Sequence, residues 1–257
     1  DSRFIAFAAN GRLKKADADG GTIQTICVCV TELLGGTWGT NNDIVFAPFN
    51  RAPLHRVPAS GGTSEPITTL DQSCNENSHP WPHFLPDGRH LLYTARSDVV
   101  SNTGVYSTEL GSDQRQWLVE AQSSALYVPP GRLLFVREGT LLSQPFDFRT
   151  ARLSGEPVPV AGSIDHNRTG ASAAFALSAD GNVLAYRGGF APTTELVRFD
   201  RDGKRQGAIG QESDWQDLRL SPDGSRAALV TLDKTSGNRD IWLVEIATGR
   251  MQGWSTH

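Results

Sequence analysis

No apolar run in these 257 residues approaches the roughly 18 that a membrane-spanning helix needs, so the segment is not expected to span a membrane. A basic excess is lacking too. Lys and Arg total 24 against 28 Asp and Glu, a formal net charge of −4, and this argues against a nucleic-acid surface. Three cysteines are an odd number, which excludes a complete disulfide framework. Cys27 and Cys29 share one strand face, and with the distant Cys74 they make a poor zinc set. They read as unpaired or loosely paired thiols, or as one bridge from Cys74 to Cys27 or Cys29. No stretch carries the 3.6-residue helical period. There is no Gly-x-Ser-x-Gly elbow, no Gly-rich phosphate loop and no His-Glu-x-x-His helix, so the usual enzyme signatures are absent. No cofactor and no metal site is implied. The chain opens at Asp1-Ser2-Arg3-Phe4 without Met or a signal-like segment, and reads as a mature or excised portion of something longer.

What is present is a repeat. Leu85-Pro86-Asp87-Gly88, Val128-Pro129-Pro130-Gly131, Ser178-Ala179-Asp180-Gly181 and Ser221-Pro222-Asp223-Gly224 each lead into an apolar strand. Their glycines stand 43, 50 and 43 positions apart. A fixed period in that range, with β-type contents, means stacked self-similar units, the signature of propeller blades. Each unit holds about four short alternating strands separated by turn signals such as Asn10-Gly11, Gly61-Gly62 and Thr248-Gly249. The expected architecture is all-β. It is a six-bladed β-propeller of four-stranded antiparallel blades in a single domain, 1–257, with blades near 1–27, 35–70, 79–120, 124–160, 172–210 and 215–257. The first unit starts at its second strand. Either Trp254–His257 supply the missing innermost strand, or blade 1 is incomplete and keeps an open edge.

The Pro-Asp-Gly turn, the apolar strand after it and the later strand Ile241-Trp242-Leu243-Val244-Glu245 resemble the TolB-type propeller repeat. Ser221–Gly224 and Leu85–Gly88 match best; unit four keeps only Pro-Pro-Gly and unit two has lost the turn. The resemblance spans essentially the whole chain and speaks to architecture, while saying almost nothing of activity. Proteins with such repeats include the periplasmic TolB component, the propeller halves of certain serine peptidases, and sensor regions attached to bacterial membrane-anchored serine/threonine kinases. The run Ser78–Gly88 is most similar to that last group. The resemblance implies a periplasmic or otherwise extracytoplasmic location.

His79-Pro80-Trp81-Pro82-His83 is the first candidate binding constellation. On an extended strand His79, Trp81 and His83 fall on one face with the prolines opposite. Two imidazoles beside an indole suit an anion, a sugar ring or a metal; alternatively Trp81 packs between blades while the histidines cap loops. Aligning the units carries the same face to Gly35, Thr37, Gln122, Ser124 and Ala174, and to Trp215, Asp217 and Arg219 in unit six. Asp217 and Arg219 also stand close enough to pair with each other. The expected channel mouth is therefore polar and aromatic, suited to a protein, a peptide or a small polar ligand.

Asp165-His166-Asn167-Arg168 lies in a long connection. Asp165 and His166 form a candidate general-base pair, or the cluster satisfies the loop backbone. Asn167-Arg168-Thr169 matches a glycosylation pattern of no weight in a bacterial-looking chain. Asp17-x-Asp19-Gly20 and Asp200-x-Asp202-Gly203 lack the later ligands of a calcium loop and read as turns. The preferred function is a non-enzymatic binding or sensor module using His79, Trp81, His83, Trp215, Asp217 and Arg219. The alternative is an esterase- or lactonase-like hydrolase, or a lyase, working in the channel with His83, His166 and Asp165.

Overall fold

The computed structural model describes residues 3–28, 33–121, 123–167, 171–178, 180–188, 194–200, 203–232 and 239–255. Cys29, Gln122, Arg168, Thr169, Asp202 and the last two residues, all named above, lie outside that set, as does Asp1-Ser2.

Six antiparallel sheets follow one another along the chain as propeller blades. Blade 1 is Phe4–Ala9, Arg12–Asp17 and Gln24–Val28; its first hairpin turns through Asn10 and Gly11 at φ 53° and 69°, as the Asn-Gly pair requires. Blade 2 is Gly36–Trp38, Asp43–Phe46, His55–Pro58 and Glu65–Pro66. Blade 3 contains His90–Ser97, Gly104–Glu109 and Arg115–Glu120, and its innermost strand is split into Glu76–Ser78 and His83–Phe84, both paired with His90–Ser97. Blade 4 is Ala125–Val128, Arg132–Arg137, Thr140–Asp147 and Val158–Ala161, with Arg152–Leu153 beside its third strand. A small ribbon, His166–Asn167 with Ser172–Ala173, leads to blade 5: Phe175–Leu177, Leu184–Tyr186, Thr194–Phe199 and Arg205–Ser213. Blade 6 is Trp215–Leu220, Arg226–Leu232, Arg239–Glu245 and Met251–Ser255.

Blade 1 has three strands, so the incomplete-blade alternative holds for the described residues. Met251–Ser255 pairs with Arg239–Glu245 (Val244↔Met251, Ile241↔Ser255) as the outer strand of blade 6, and Trp254 and Ser255 do not supply the missing strand.

The repeated turn has a physical reason for each of its residues. The Asp carboxylate accepts backbone N–H groups just beyond it: Arg89 and His90 give to Asp87 Oδ1, both at 3.0 Å, and Ser225 gives to Asp223 Oδ1 at 3.0 Å. The glycine takes φ near +66° at both Gly88 and Gly224, where side chains are disfavoured. It also abuts the turn of the blade before. A Cβ on Gly88 would fall 2.7 Å from Thr40 Oγ1, and one on Gly224 would fall 2.9 Å from Ser178 Cβ. The motif thus marks both the hairpin and the seam between neighbouring blades.

The core consists of those seams. Leu13, Ile26, Ile44, Phe46 and Val57 join blades 1 and 2; Val45, Leu54, Leu91 and Tyr93 join 2 and 3. Leu92, Val105, Tyr127 and Phe135 join 3 and 4, and Leu134, Val136, Leu141 and Phe175 join 4 and 5. Ala185, Leu196, Trp215, Leu229 and Val244 join 5 and 6. Alternation along each strand aims these side chains at the adjoining blade.

Candidate functional site

Two prolines, each without an N–H to give, interrupt the innermost strand of blade 3. Between them Trp81 turns into the left-handed region at φ 59°, an uncommon position for a bulky residue. Its N–H donates to Leu34 O at 2.9 Å, on the approach to blade 2. Its ring lies where Gly35 has no side chain, since a Cβ there would meet Trp81 Cε3 at 2.6 Å. The expectation that His79, Trp81 and His83 share one strand face is corrected on this geometry: the segment is not a continuous strand, and the three side chains part company.

Opposite, on the innermost strand of blade 6, Arg219 places its guanidinium 5.6 Å from the centre of the Trp81 ring. Blades 3 and 6 face each other in a ring of six, so this cation–π contact reaches across the axis. Arg219 also donates to Asp217 Oδ1 at 2.9 Å, and both side chains of that ion pair are about half exposed (51% and 52%). Trp81, Asp217 and Arg219 thus come together at the channel. His83 is part-buried on the short strand beside Trp81, and burial pushes its imidazole down to about 4, so it is neutral at pH 7.

Other nominated residues sit elsewhere. Trp215 is buried in the seam between blades 5 and 6, with Nε1 donating to Gln211 O at 3.2 Å. It borders a cleft there whose walls include Tyr186, Arg187, Thr194 and Asp217. Asp165 forms an ion pair with Arg187 rather than with His166, and His166 Nδ1 lies 3.1 Å from Ile164 O. The Asp165–His166 pair is therefore not assembled. Asp17 and Asp200 close turns, accepting from the N–H of Asp19 at 3.1 Å and of Lys204 at 2.9 Å. Cys27 is buried and Cys74 part-buried, and no bridge joins them.

His79 is fully buried within a polar chain that sequence reasoning missed. Its Nε2 lies 3.0 Å from Glu76 Oε2 and its Nδ1 2.8 Å from Thr68 Oγ1, which itself accepts the Leu54 N–H at 2.9 Å. Glu76, also fully buried, takes Arg115 Nη1 at 2.7 Å and the Asp71 N–H at 2.8 Å. Burial opposes ionisation of Glu76, but His79, the Asp71 amide and Arg115 outweigh it and hold the carboxyl below its ordinary range. Burial lowers the His79 pKa and outweighs the pull of Glu76. The network fits a neutral imidazole that donates from Nε2 to Glu76 and accepts the Thr68 hydroxyl at Nδ1. Acid, imidazole and hydroxyl stand in relay order, yet His79 has no exposed surface; the chain ties blade 2 to blade 3. Glu76 three residues before His79 was the one available signal.

Among the described residues, no three His, Cys, Asp or Glu side chains gather as metal ligands. No protein-family model and no curated protein matches the chain. Solved structures do. TolB from Acinetobacter baumannii is 21% identical, with a TM-score of 0.70 over 96% of this chain and 60% of that one. The chain has the TolB-type propeller fold. It is also similar to a chain of the nidogen/laminin complex (12% identity, TM-score 0.70, 98% and 93% covered). A gluconolactonase from Xanthomonas campestris is similar too (16% identity, TM-score 0.63, 85% and 75% covered). This chain spans three fifths of the TolB chain. Such a fold hosts unrelated functions, and no helix of the described residues is long and apolar enough to cross a membrane.

Proposed function

We propose that the protein is a non-enzymatic binding or sensor module whose channel mouth takes a protein, a peptide or a small polar ligand. The observation that carries this reading is the meeting of Trp81, Arg219 and Asp217 across the axis. An aromatic face and a paired charge, left half in water on a rigid ring, form a recognition surface. His83, neutral and on the short strand that follows Trp81, adds a hydrogen-bonding group. His79 and Trp215 support the scaffold from inside the seams. A periplasmic or extracytoplasmic setting, and the likeness to kinase-attached sensor regions, belong to the same reading and follow from the repeat resemblance. The nidogen/laminin complex supports protein binding as one use of such a ring.

The competing reading is hydrolysis or elimination in the channel, as the name of the gluconolactonase implies for that protein. Two measurements separate the readings. Peptides and sugars titrated into the purified chain, followed by NMR, are expected to shift the Trp81 indole signal, with loss of binding in Trp81→Leu. Turnover of ester, lactone or glycoside substrates that is abolished by His83→Gln or His166→Gln would overturn the binding-module reading.

A further inference from the structure

We propose that Trp81 and Asp217 form a recognition site for a guanidinium group, and that Arg219 fills it when no ligand is bound. This rests on the channel-mouth reading and names the ligand class. Four observations converge. Trp81 holds a left-handed backbone conformation at φ 59°, uncommon for a bulky residue. Gly35 clears the space for the indole, since any side chain there would strike it at 2.6 Å. The ring so placed carries a guanidinium at 5.6 Å, the planar cation that suits an indole face. Asp217 supplies the carboxylate, 2.9 Å from Arg219 Nη1. An aromatic face with one acidic group is the minimal cage for an organic cation, and here the guest belongs to the chain itself.

The guest is held loosely. Arg219 and Asp217 are 51% and 52% exposed, and a half-solvated ion pair contributes little, as does a cation–π contact open to water. An internal strut would gain from being dry; this one faces the mouth. An incoming arginine side chain that reproduces the ring and carboxylate contacts has to displace Arg219, whose Nη1 also donates to Leu218 O at 2.8 Å, into water. An anion is disfavoured, because it would have to pull Arg219 from Asp217 and then lie beside that carboxylate. Arg219 therefore acts as a built-in competitor, and its removal is expected to raise affinity.

The test is isothermal titration of the full chain with N-acetyl-arginine-amide and with a pentapeptide carrying one central arginine. Arg219→Ala is expected to bind the first probe about tenfold more tightly than the wild type, roughly the combined worth of one exposed ion pair and one exposed cation–π contact. In the Arg219→Ala background, Asp217→Asn is expected to weaken binding several-fold, Trp81→Phe to retain part of it and Trp81→Leu to abolish it. Circular dichroism and thermal unfolding establish that each variant is folded, and Arg219→Gln provides a second vacated site. Tighter binding of the pentapeptide than of the amide assigns the site to peptides; equal binding assigns it to free guanidinium ligands. The proposal falls if both vacated variants bind no more tightly than the wild type. It also falls if N-acetyl-glutamate-amide binds the wild type and is lost in Arg219→Ala. If another peptide or a sugar binds the mouth and needs Trp81 while both arginine probes fail, the guanidinium assignment falls and the binding-module reading stands.

Discussion

The seam between blades 2 and 3 contains Val45, Leu54, Leu91 and Tyr93, all buried, and beside them the chain Thr68–His79–Glu76–Arg115. Between blades 6 and 1 the described contacts are shallower. Trp254 meets the edge of Phe7 at 5.2 Å, and Arg226 reaches Asp19 at 2.7 Å on the surface. No buried apolar cluster of the described residues joins those two blades. The strand count explains the difference. Each sealed seam is filled by side chains from several strands of both neighbours, and blade 1 has three strands to present, not four. A ring closed this way is strong through most of its circumference and weak at one seam, which is where opening is expected to begin.

The largest effect should come from hollowing the strong seam. Leu91 is fully buried, and Leu91→Ala is expected to cost about 3 kcal/mol in urea unfolding at pH 7. A cost under about 1 kcal/mol would show that the seam is not packed as described. Next comes Arg115→Met, which removes the cation from a fully buried carboxylate and is expected to cost about 2–3 kcal/mol. Glu76 can escape by taking up a proton, so the loss should shrink as pH falls from 7 to 5. A pH-independent loss would remove Glu76 from the account.

Acid should loosen the same side of the ring. The folded state lowers the affinity of His79 and His83 for protons through burial, His83 down to about 4, whereas an unfolded imidazole titrates near 6.5. Between those values the unfolded chain binds more protons, so stability present above pH 6.5 is lost as pH falls toward 4. Glu76, held below its ordinary range, adds to the loss below about pH 4.5. Urea midpoints at pH 7.5, 6 and 5 should decline in that order, and His83→Gln should flatten the slope. An unchanged slope would mean that His83 is well solvated.

These contrasts also mark what the residues announce in advance. Asp87-Gly88 and Asp223-Gly224 specify the turn twice, by a carboxylate that accepts the next amides and by a glycine pressed on the preceding blade, so blade number and order are legible. Asn10-Gly11 fixed blade 1 equally well. The inner strand of blade 3 was misread because alternation alone puts His79, Trp81 and His83 together, while Pro80 and Pro82 deny the ladder its donors and let Trp81 turn the other way. Asp217 with Arg219 was readable from spacing. Its meeting with Trp81 was not, since no local pattern links residues on opposite sides of a ring. Asp165 seemed fit for its neighbour His166 but pairs with Arg187, just past the second strand of blade 5, which competes as a full charge.

At the weak seam the expected effects are small. Trp254→Ala loses an edge-on aromatic contact and part of a half-buried ring, about 1 kcal/mol, and should speed amide exchange along Phe4–Ala9 while leaving His90–Ser97 protected. Arg226→Ala removes an exposed ion pair whose Asp19 side chain is 77% accessible. It should shift stability by less than about 0.5 kcal/mol, and that small difference should vanish when salt is raised. Should Arg226→Ala instead cost more than Trp254→Ala, the closure would be electrostatic rather than apolar, and blade 1 would need its surface charges more than its missing strand.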